Sequence, residues 1–285
     1  MKTCRRRFKQ KVLNNAVFSL LNNYSWSLKI LLPTLIIGIG LGQQQPVQPQ
    51  AVPSYVLPDD TYSQDIYELA QSSTVRIIQD NAAGTGVIIY QEGQVYTVLT
   101  NWHVVGSDSI FQVMTADGKT YQLLQPPQQL GNFDLAIVQF QSPEQHQVAT
   151  VATKDPKVGE KVYAAGFPLY EQNDSSINTI SLGTQAFRLT QGEVSLIPPK
   201  SLPEGYHLGY TNDTEIGMSG GPIFNTKGFL VGVHGRGKYR DPAFGVYTFE
   251  DGSEPTPKML ETMINSSWGI PISTYLQFTS QASQN

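Results

Sequence analysis

Short runs of β-branched and aromatic residues, separated by glycine, proline and polar residues, fill most of the chain after residue 73. Such runs are typical of β-strands, and the glycine-rich breaks between them are typical of tight turns. Many short strands with frequent turns predict an all-β protein of barrel or sandwich type. The predicted strands are 74–78, 87–90, 95–100, 111–115, 120–124, 133–140, 161–168, 179–182, 187–197, 209–211, 222–224, 228–234 and 243–249.

Two segments that flank the strands have the pattern of short helices. In 63–71, Ser63 or Asp65 can cap a first turn, and apolar residues recur on one face. The second helical pattern covers 257–265, near the C-terminus. We therefore expect short N-terminal and C-terminal helices on an otherwise all-β fold, followed by a polar tail at 279–285.

The N-terminal segment 1–42 combines a basic leader with an apolar run and contains no acidic residue. The apolar run, 30–42, is shorter than the roughly 20 residues of a membrane-spanning helix. A basic segment followed by a short apolar core and small residues is typical of a signal peptide. We expect a cleaved signal and export to the periplasm or the extracellular space. An uncleaved membrane anchor and a poorly ordered extension are the alternatives, and 43–62, rich in Pro and Gln, is predicted to be a linker.

The formal net charge of -4 hides an asymmetry, because the basic leader offsets an acidic body. Beyond residue 42 the chain carries 12 basic and 23 acidic residues, which disfavours nucleic-acid binding. The single cysteine, Cys4, lies in the leader, so we expect no disulfide in the folded part. Four dispersed histidines form no ligand cluster, and we expect neither a metal nor an organic cofactor.

Three short motifs contain the candidate chemistry: T-N-W-H-V-V at 100–105, F-D-L-A-I-V at 133–138 and G-M-S-G-G-P at 217–222. A serine hydroxyl is a poor nucleophile unless a base takes its proton and hydrogen-bond donors stabilise the oxyanion. The glycine two residues before the serine of the third motif permits unusual backbone angles, so two amides can point at one spot.

These motifs resemble those of the chymotrypsin-like serine peptidases, in the same order of histidine, aspartate and serine, over roughly 65–276. The resemblance implies that Ser219 is the nucleophile, His103 the general base and then general acid, and Asp134 the residue that orients the imidazole. It implies an oxyanion hole formed by the Gly217 and Ser219 amides. Each such donor is worth about 3–4 kcal/mol.

The resemblance also implies the architecture. It predicts a peptidase domain at 63–278 made of two six-stranded antiparallel β-barrels, one at about 74–142 and the other at about 157–250. In this fold the triad lies across the cleft between the barrels, with the histidine and the aspartate on the first and the serine on the second.

Two departures from the pattern point to one branch of the superfamily. Met218 stands where the mammalian digestive members carry an aspartate before the serine, and the body lacks cysteine. The chain is more similar to the bacterial branch, including HtrA-type and glutamyl-endopeptidase relatives. Because 66 residues follow Ser219 and the last strands and helix need most of them, we expect no C-terminal PDZ domain.

The residues of the expected substrate pocket give conflicting hints. The resemblance to trypsin places Asp213 on the pocket floor, where it would favour Lys or Arg in the substrate. The resemblance to glutamyl endopeptidases places Thr214 and His234 against an acidic substrate side chain. The charges of Asp213 and His234 can also neutralise each other, or both residues can be structural, so the preference stays open.

The function implied by the resemblance is a serine endopeptidase that cleaves protein or peptide substrates through a covalent acyl-enzyme. The alternative is a catalytically silent member of the same fold that binds peptides or acts as a chaperone. An esterase of the α/β-hydrolase type is disfavoured by the order of the three motifs. Asp108 is the nearest rival acid, but it lies in a polar loop and does not precede an apolar strand.

Overall fold

A computed structural model describes residues 64–79, 82–171 and 174–282. The predicted signal or anchor at 1–42, the linker at 43–62 and the last three residues of the tail lie outside the described residues. Among the helices that are described, none has the length and apolar content needed to cross a membrane.

The first sheet is antiparallel and has seven strands in the order β5-β4-β1-β2-β3-β7-β6. Its two margins approach each other, since Leu123 pairs with Phe140 through an isolated bridge. The inner face is packed with buried apolar side chains, among them Ile77, Ile88 and Val98. The strands are β1 Thr74–Gln79, β2 Ala82–Glu92, β3 Val95–Thr100, β4 Gln112–Met114, β5 Thr120–Gln122, β6 Gln128–Gln129 and β7 Ala136–Gln141.

The second sheet is a closed barrel of six strands, in the order β11-β12-β15-β14-β13-β8. Trp268, Tyr206 and Phe224 are among the largest side chains that are fully buried. A separate two-stranded hairpin, β9 Tyr170–Glu171 with β10 Asp174–Asn178, leaves the barrel after β8. The barrel strands are β8 Lys161–Gly166, β11 Arg188–Leu196, β12 Leu208–Tyr210, β13 Pro222–Asn225, β14 Leu230–Arg236 and β15 Ser267–Pro271.

The described residues also form four α-helices: α1 Gln64–Ser73, α2 Trp102–Val105, α3 Pro257–Ile264 and α4 Ile272–Ala282. Helix α3 matches the second predicted helix and begins at a cap, where the Thr256 hydroxyl accepts a hydrogen bond from the Met259 amide. Helix α4 was not predicted, and it includes the start of the segment that was interpreted as a polar tail.

The predicted all-β class is confirmed, and the second barrel has the predicted six strands. The first sheet differs from the predicted six-stranded barrel. It has seven strands, and a single bridge joins its two margins in place of a continuous ladder of hydrogen bonds. The second barrel also continues past 250, since its strand β15 lies after α3.

Two predicted strands are wrong. Residues 179–182 enter the 3-10 helix Ile180–Ala186 instead of a strand. Thr179 there accepts two hydrogen bonds from the buried Arg76 guanidinium, through its carbonyl and its hydroxyl. Residues 243–249 form a short 3-10 helix and turns, because Pro242 starts that helix and Gly245 ends it with φ at 66°.

Candidate active site

His103 lies on the one-turn helix α2, directly after strand β3. Its Nδ1 is 2.6 Å from Oδ2 of Asp134, and its backbone amide donates to Oδ1 of the same carboxylate at 2.8 Å. The neighbouring Asn101 side chain donates to the Asp134 carbonyl at 2.7 Å, which ties the start of α2 to the loop before β7. The imidazole is 47% exposed, so its remaining nitrogen is accessible from the cleft.

Asp134 is buried and accepts three hydrogen bonds, two from His103 and one at 2.5 Å from the Tyr206 hydroxyl. Burial alone would raise the pKa of Asp134, but the hydrogen bonds and charge of His103, together with the Tyr206 hydroxyl, hold that pKa below its usual value. The carboxylate therefore stays ionised at neutral pH and can fix the orientation of the imidazole.

Ser219 follows a loop whose shape depends on Gly217. The φ of Gly217 is +97°, and a Cβ there would lie 2.5 Å from the Leu169 amide nitrogen, so a larger residue cannot replace it without rearrangement. Among the described residues, no acceptor is found for the Gly217 amide or the Ser219 amide. Both N–H groups are thus available to an oxyanion.

Thr85, on strand β2 of the first sheet, holds this loop from the other side of the cleft. Its backbone amide donates to the Ser219 carbonyl at 2.9 Å, and its hydroxyl donates to the Gly217 carbonyl at 2.8 Å. The hydroxyl also accepts a hydrogen bond from the Phe167 amide at 3.0 Å. Because the Gly217 carbonyl is held against the first sheet, the Gly217–Met218 peptide cannot turn over without breaking a buried hydrogen bond.

His103, Asp134 and Ser219 all line one open cleft with a volume of about 800 Å³, and Gly217 lines it with them. The Ser219 hydroxyl donates to the Gly235 carbonyl at 3.3 Å. No hydrogen bond joins it to His103 within the part of the chain that is described. The Ser219 hydroxyl is thus engaged by a backbone carbonyl of strand β14.

The three predicted pocket residues, Asp213, Thr214 and His234, line the same cleft but have other partners. The Asp213 carboxylate is paired with the Lys238 ammonium at 2.7 Å and is 80% exposed. The Thr214 hydroxyl is 3.0 Å from the hydroxyl of Ser267 on β15. Both polar groups are therefore already engaged by protein partners at the cleft wall.

His234 is buried within strand β14, with its Nδ1 2.5 Å from the Tyr210 hydroxyl. Burial, to which repulsion from a protonated His103 adds, lowers the pKa of His234 to about 3, although the Trp268 backbone acts in the opposite direction. A histidine that is neutral at pH 7 provides no cation for an acidic substrate side chain. The sequence hints toward basic and acidic substrates are thus both weakened.

Sequence patterns did not identify Thr85, Lys238 or Tyr206. Thr85 stands in the G-T-G sequence that opens β2, and this pair of glycines was the one available signal. Lys238 and Tyr206 lie in loops without a motif. His146 lies in a polar stretch of the sequence, yet it is half-buried, and its ring lies 5.0 Å from the ring of Tyr96.

A two-barrel β fold in which histidine, aspartate and serine line one cleft between the sheets defines a class, the trypsin-like peptidases. Residues 84–233 match the family model described as a trypsin-like peptidase domain, so the chain belongs to that family. The crystal structure of the serine endoprotease from Yersinia pestis has the same fold, with a TM-score of 0.51 and 21% identity over 76% of this chain and 64% of that one.

Two curated relatives are of the HtrA type. Periplasmic serine endoprotease DegP of Escherichia coli (strain K12) is 29% identical over 157 residues, which is 54% of this chain and 30% of DegP. Serine protease Do-like HtrA of Bacillus subtilis (strain 168) is 28% identical over 181 residues, which is 59% of this chain and 36% of that protein. The match thus spans about a third of the length of each relative.

Proposed function

We propose that the chain is a serine endopeptidase that hydrolyses peptide bonds of protein or peptide substrates through an acyl-enzyme. The observation that supports this most strongly is the pair of hydrogen bonds that the backbone amide and Nδ1 of His103 make to Asp134. Beside them lies Ser219, whose amide and that of Gly217 are both unengaged among the described residues. The names of the relatives, which are serine proteases, support the same reaction.

In the proposed acylation step, Ser219 Oγ attacks the substrate carbonyl carbon while Nε2 of His103 takes the hydroxyl proton. The carbonyl oxygen becomes an oxyanion, which the Gly217 and Ser219 amides bind. His103 then gives the proton to the leaving nitrogen, the C–N bond breaks, and an ester remains on Ser219. Water repeats the sequence with His103 as base and releases the acid.

A catalytically silent, peptide-binding member of the family remains the second candidate, and one observation favours it. The Ser219 hydroxyl is directed at the Gly235 carbonyl, as it would be in an enzyme whose nucleophile is not engaged by its base. The energy barrier to leaving this orientation is small, since rotation about one side-chain bond moves a serine hydroxyl between staggered positions. Activity therefore distinguishes the two candidates better than geometry does.

The test is hydrolysis of an unfolded protein and a peptide library by the purified wild type and by His103→Ala. A peptidase cleaves both substrates in the wild type and loses this activity in the variant. A silent family member binds peptides in both forms and cleaves none. An esterase-type enzyme cleaves short acyl esters but leaves the peptides intact, and either of the last two results would reject the proposal.

We also propose that the protein acts after export and that its N-terminal segment can attach it to a membrane. The support is the basic leader with its apolar run in 1–42, together with a relative that is named periplasmic. Fractionation of cells that produce the full chain tests this. Recovery of the uncleaved chain in the cytosol would contradict it.

Thr85→Val is expected to lower kcat about tenfold or more and to reduce the free energy of unfolding by about 1–3 kcal/mol. Valine keeps the shape of threonine but leaves the buried Gly217 carbonyl and Phe167 amide without their shared partner. The Gly217–Met218 peptide, which lies between the two candidate donors, then loses an anchor, so the Gly217 and Ser219 amides are held less firmly toward the oxyanion.

Urea unfolding and steady-state kinetics on one peptide substrate measure the two effects of Thr85→Val. Thr85→Ser, which keeps the hydroxyl, serves as the matched control and should retain most of kcat. If valine lowers stability but leaves kcat at the wild-type value, Thr85 does not hold the oxyanion loop.

Lys238→Met is expected to raise the preference for Lys over Leu before the cut by about two- to fivefold. The change leaves the apolar stem in place and removes the ammonium that neutralises Asp213, and a surface ion pair of this kind is worth about 0.2–1 kcal/mol. Ratios of kcat/KM for matched Lys and Leu peptides measure the change, with Lys238→Arg as control. An unchanged ratio would show that Asp213 does not face the substrate side chain.

A further inference from the structure

Tyr206 is a buried side chain that donates to the same oxygen of Asp134 as His103 does. Its hydroxyl lies 2.5 Å from Oδ2, and His103 Nδ1 lies 2.6 Å from that atom. Burial, the negative charge of Asp134 and the hydrogen bond to it raise the pKa of Tyr206 well above its usual value. The phenol thus keeps its proton, and the direction of the hydrogen bond is fixed, with Tyr206 as donor.

The Tyr206 ring is held in place from several sides. The Arg236 guanidinium lies over it at 3.9 Å, and that guanidinium is paired with the Glu204 carboxylate at 2.5 Å. The Leu202 amide donates to the Tyr206 carbonyl at 2.8 Å. On the cleft side the phenol occupies the space of a side chain at Gly235, where a Cβ would lie 2.1 Å from its oxygen.

The segment that carries Tyr206 also holds the backbone of Asp134. The Glu204 carbonyl accepts a hydrogen bond from the Asp134 amide at 2.9 Å, and Glu204 itself has a φ of 67°. A non-glycine residue in this region costs energy that the surrounding contacts must offset. Asp134 is therefore bound twice by one loop from the second half of the chain, through the Glu204 backbone carbonyl and the Tyr206 hydroxyl.

We propose that Tyr206 is a positioning residue, which fixes the plane of the Asp134 carboxylate so that Oδ2 faces His103. This inference rests on the proposed peptidase function. Without the phenol, Oδ2 keeps one donor and the carboxylate can rotate about its last bond. The imidazole would then sample orientations in which Nε2 does not face Ser219, and a small displacement of a reacting group lowers the rate strongly.

Tyr206→Phe is expected to lower kcat about ten- to a hundredfold while KM changes little. It is also expected to move the acid limb of the rate profile to higher pH, because Oδ2 of Asp134 loses a hydrogen-bond donor that shares its negative charge. The other charged groups that face this cluster are Glu204 and Arg236, and both are unchanged in the variant. His234, whose pKa is lowered to about 3 mainly by burial, is neutral near pH 7.

Tyr96→Phe is the matched control, because Tyr96 is also fully buried and donates its hydroxyl to a carbonyl, that of Glu144, at 2.9 Å. It lies in the core of the first sheet and does not line the cleft. A merely structural role for Tyr206 predicts that both variants lose stability and that neither shifts the pH profile. That result would overturn the inference.

The experiment also separates this inference from the proposed function. A folded wild type without hydrolytic activity rejects the proposed function. The role of Tyr206 is then tested by NMR of the Nδ1 proton of His103, whose resonance must shift in Tyr206→Phe but not in Tyr96→Phe. An active wild type with an unaltered Tyr206→Phe profile rejects the inference alone. If Tyr206→Phe fails to fold, 3-fluorotyrosine at position 206 replaces it. As a stronger donor it should move the acid limb to lower pH, and no shift would count against Tyr206.

Discussion

Ser219→Ala is expected to lower kcat on a peptide substrate by about a millionfold, the effect seen when a nucleophile is removed from an enzyme of this mechanistic type. The variant cannot form the acyl-enzyme, and His103 has no hydroxyl from which to take a proton. The Gly217 and Ser219 amides remain, so a residual acceleration of about 10³–10⁴ over water is expected. Initial rates at high enzyme concentration measure the loss.

The same variant should be as stable as the wild type. The Ser219 hydroxyl makes one hydrogen bond, at 3.3 Å to the Gly235 carbonyl, and such a neutral contact contributes about 1 kcal/mol or less. Thermal unfolding therefore separates loss of chemistry from loss of fold. Ser280→Ala, at an exposed position on α4, is the control and should keep full activity. Near wild-type turnover by Ser219→Ala would mean that another group is the nucleophile.

Asp134→Asn is expected to lower kcat by about 10⁴ at neutral pH. The carboxylate accepts from three donors, and an amide offers one oxygen and one donating nitrogen in the same space. If the amide oxygen faces the His103 backbone, the NH₂ group faces Nδ1 and selects the imidazole tautomer with its proton on Nε2. That nitrogen then cannot accept the proton of Ser219.

The measurement is kcat as a function of pH, with Asp117→Asn as control. Asp117 also accepts hydrogen bonds, but it lies on an exposed turn beside Thr115 and Lys119, away from the cleft. Its change should leave the rate unaltered. A loss of less than about tenfold in a folded Asp134→Asn would show that the hydrogen bonds of Asp134 do not set the state of His103.

Acid should also weaken the fold through Asp134. The pKa of this carboxyl is lowered in the folded state, so its stabilising contribution is present above the unfolded value of about 3.9 and is lost as pH falls through the folded value. Asp134→Asn cannot show this loss, because it has no carboxyl at that position to protonate. The measurement is a comparison of the unfolding curves of the wild type and Asp134→Asn near pH 3.

The features that could be predicted from the sequence are local. Each of the three motifs is a few residues long and lies at a strand end or in a tight loop. Its residue pattern can therefore be recognised from the local sequence alone. The β-branched and aromatic residues of 95–100 and the apolar residues of 161–168 likewise indicate strands directly, and both strands are present as β3 and β8.

The features that were missed depend on contacts between distant parts of the chain. Thr179 and Ile180 are β-branched and favour a strand, but the Arg76 guanidinium donates hydrogen bonds to the Thr179 carbonyl and hydroxyl. Strand β15, Ser-Trp-Gly-Ile-Pro, contains a glycine and a proline that conceal it from a pattern search. The pairing of Asp213 with Lys238 likewise depends on how two exposed loops meet, which no local pattern encodes.

In the proposed mechanism, Ser219 is activated by His103 and forms a covalent bond with the substrate carbonyl carbon. A fluorophosphonate probe tests it most directly, since it reacts with an activated serine and stays attached. Peptide mass spectrometry after labelling should find one adduct, on Ser219, in the wild type, none in Ser219→Ala, and at most a trace in His103→Ala. A folded wild type that takes up no probe, or that carries it on another residue, would show that Ser219 is not an activated nucleophile.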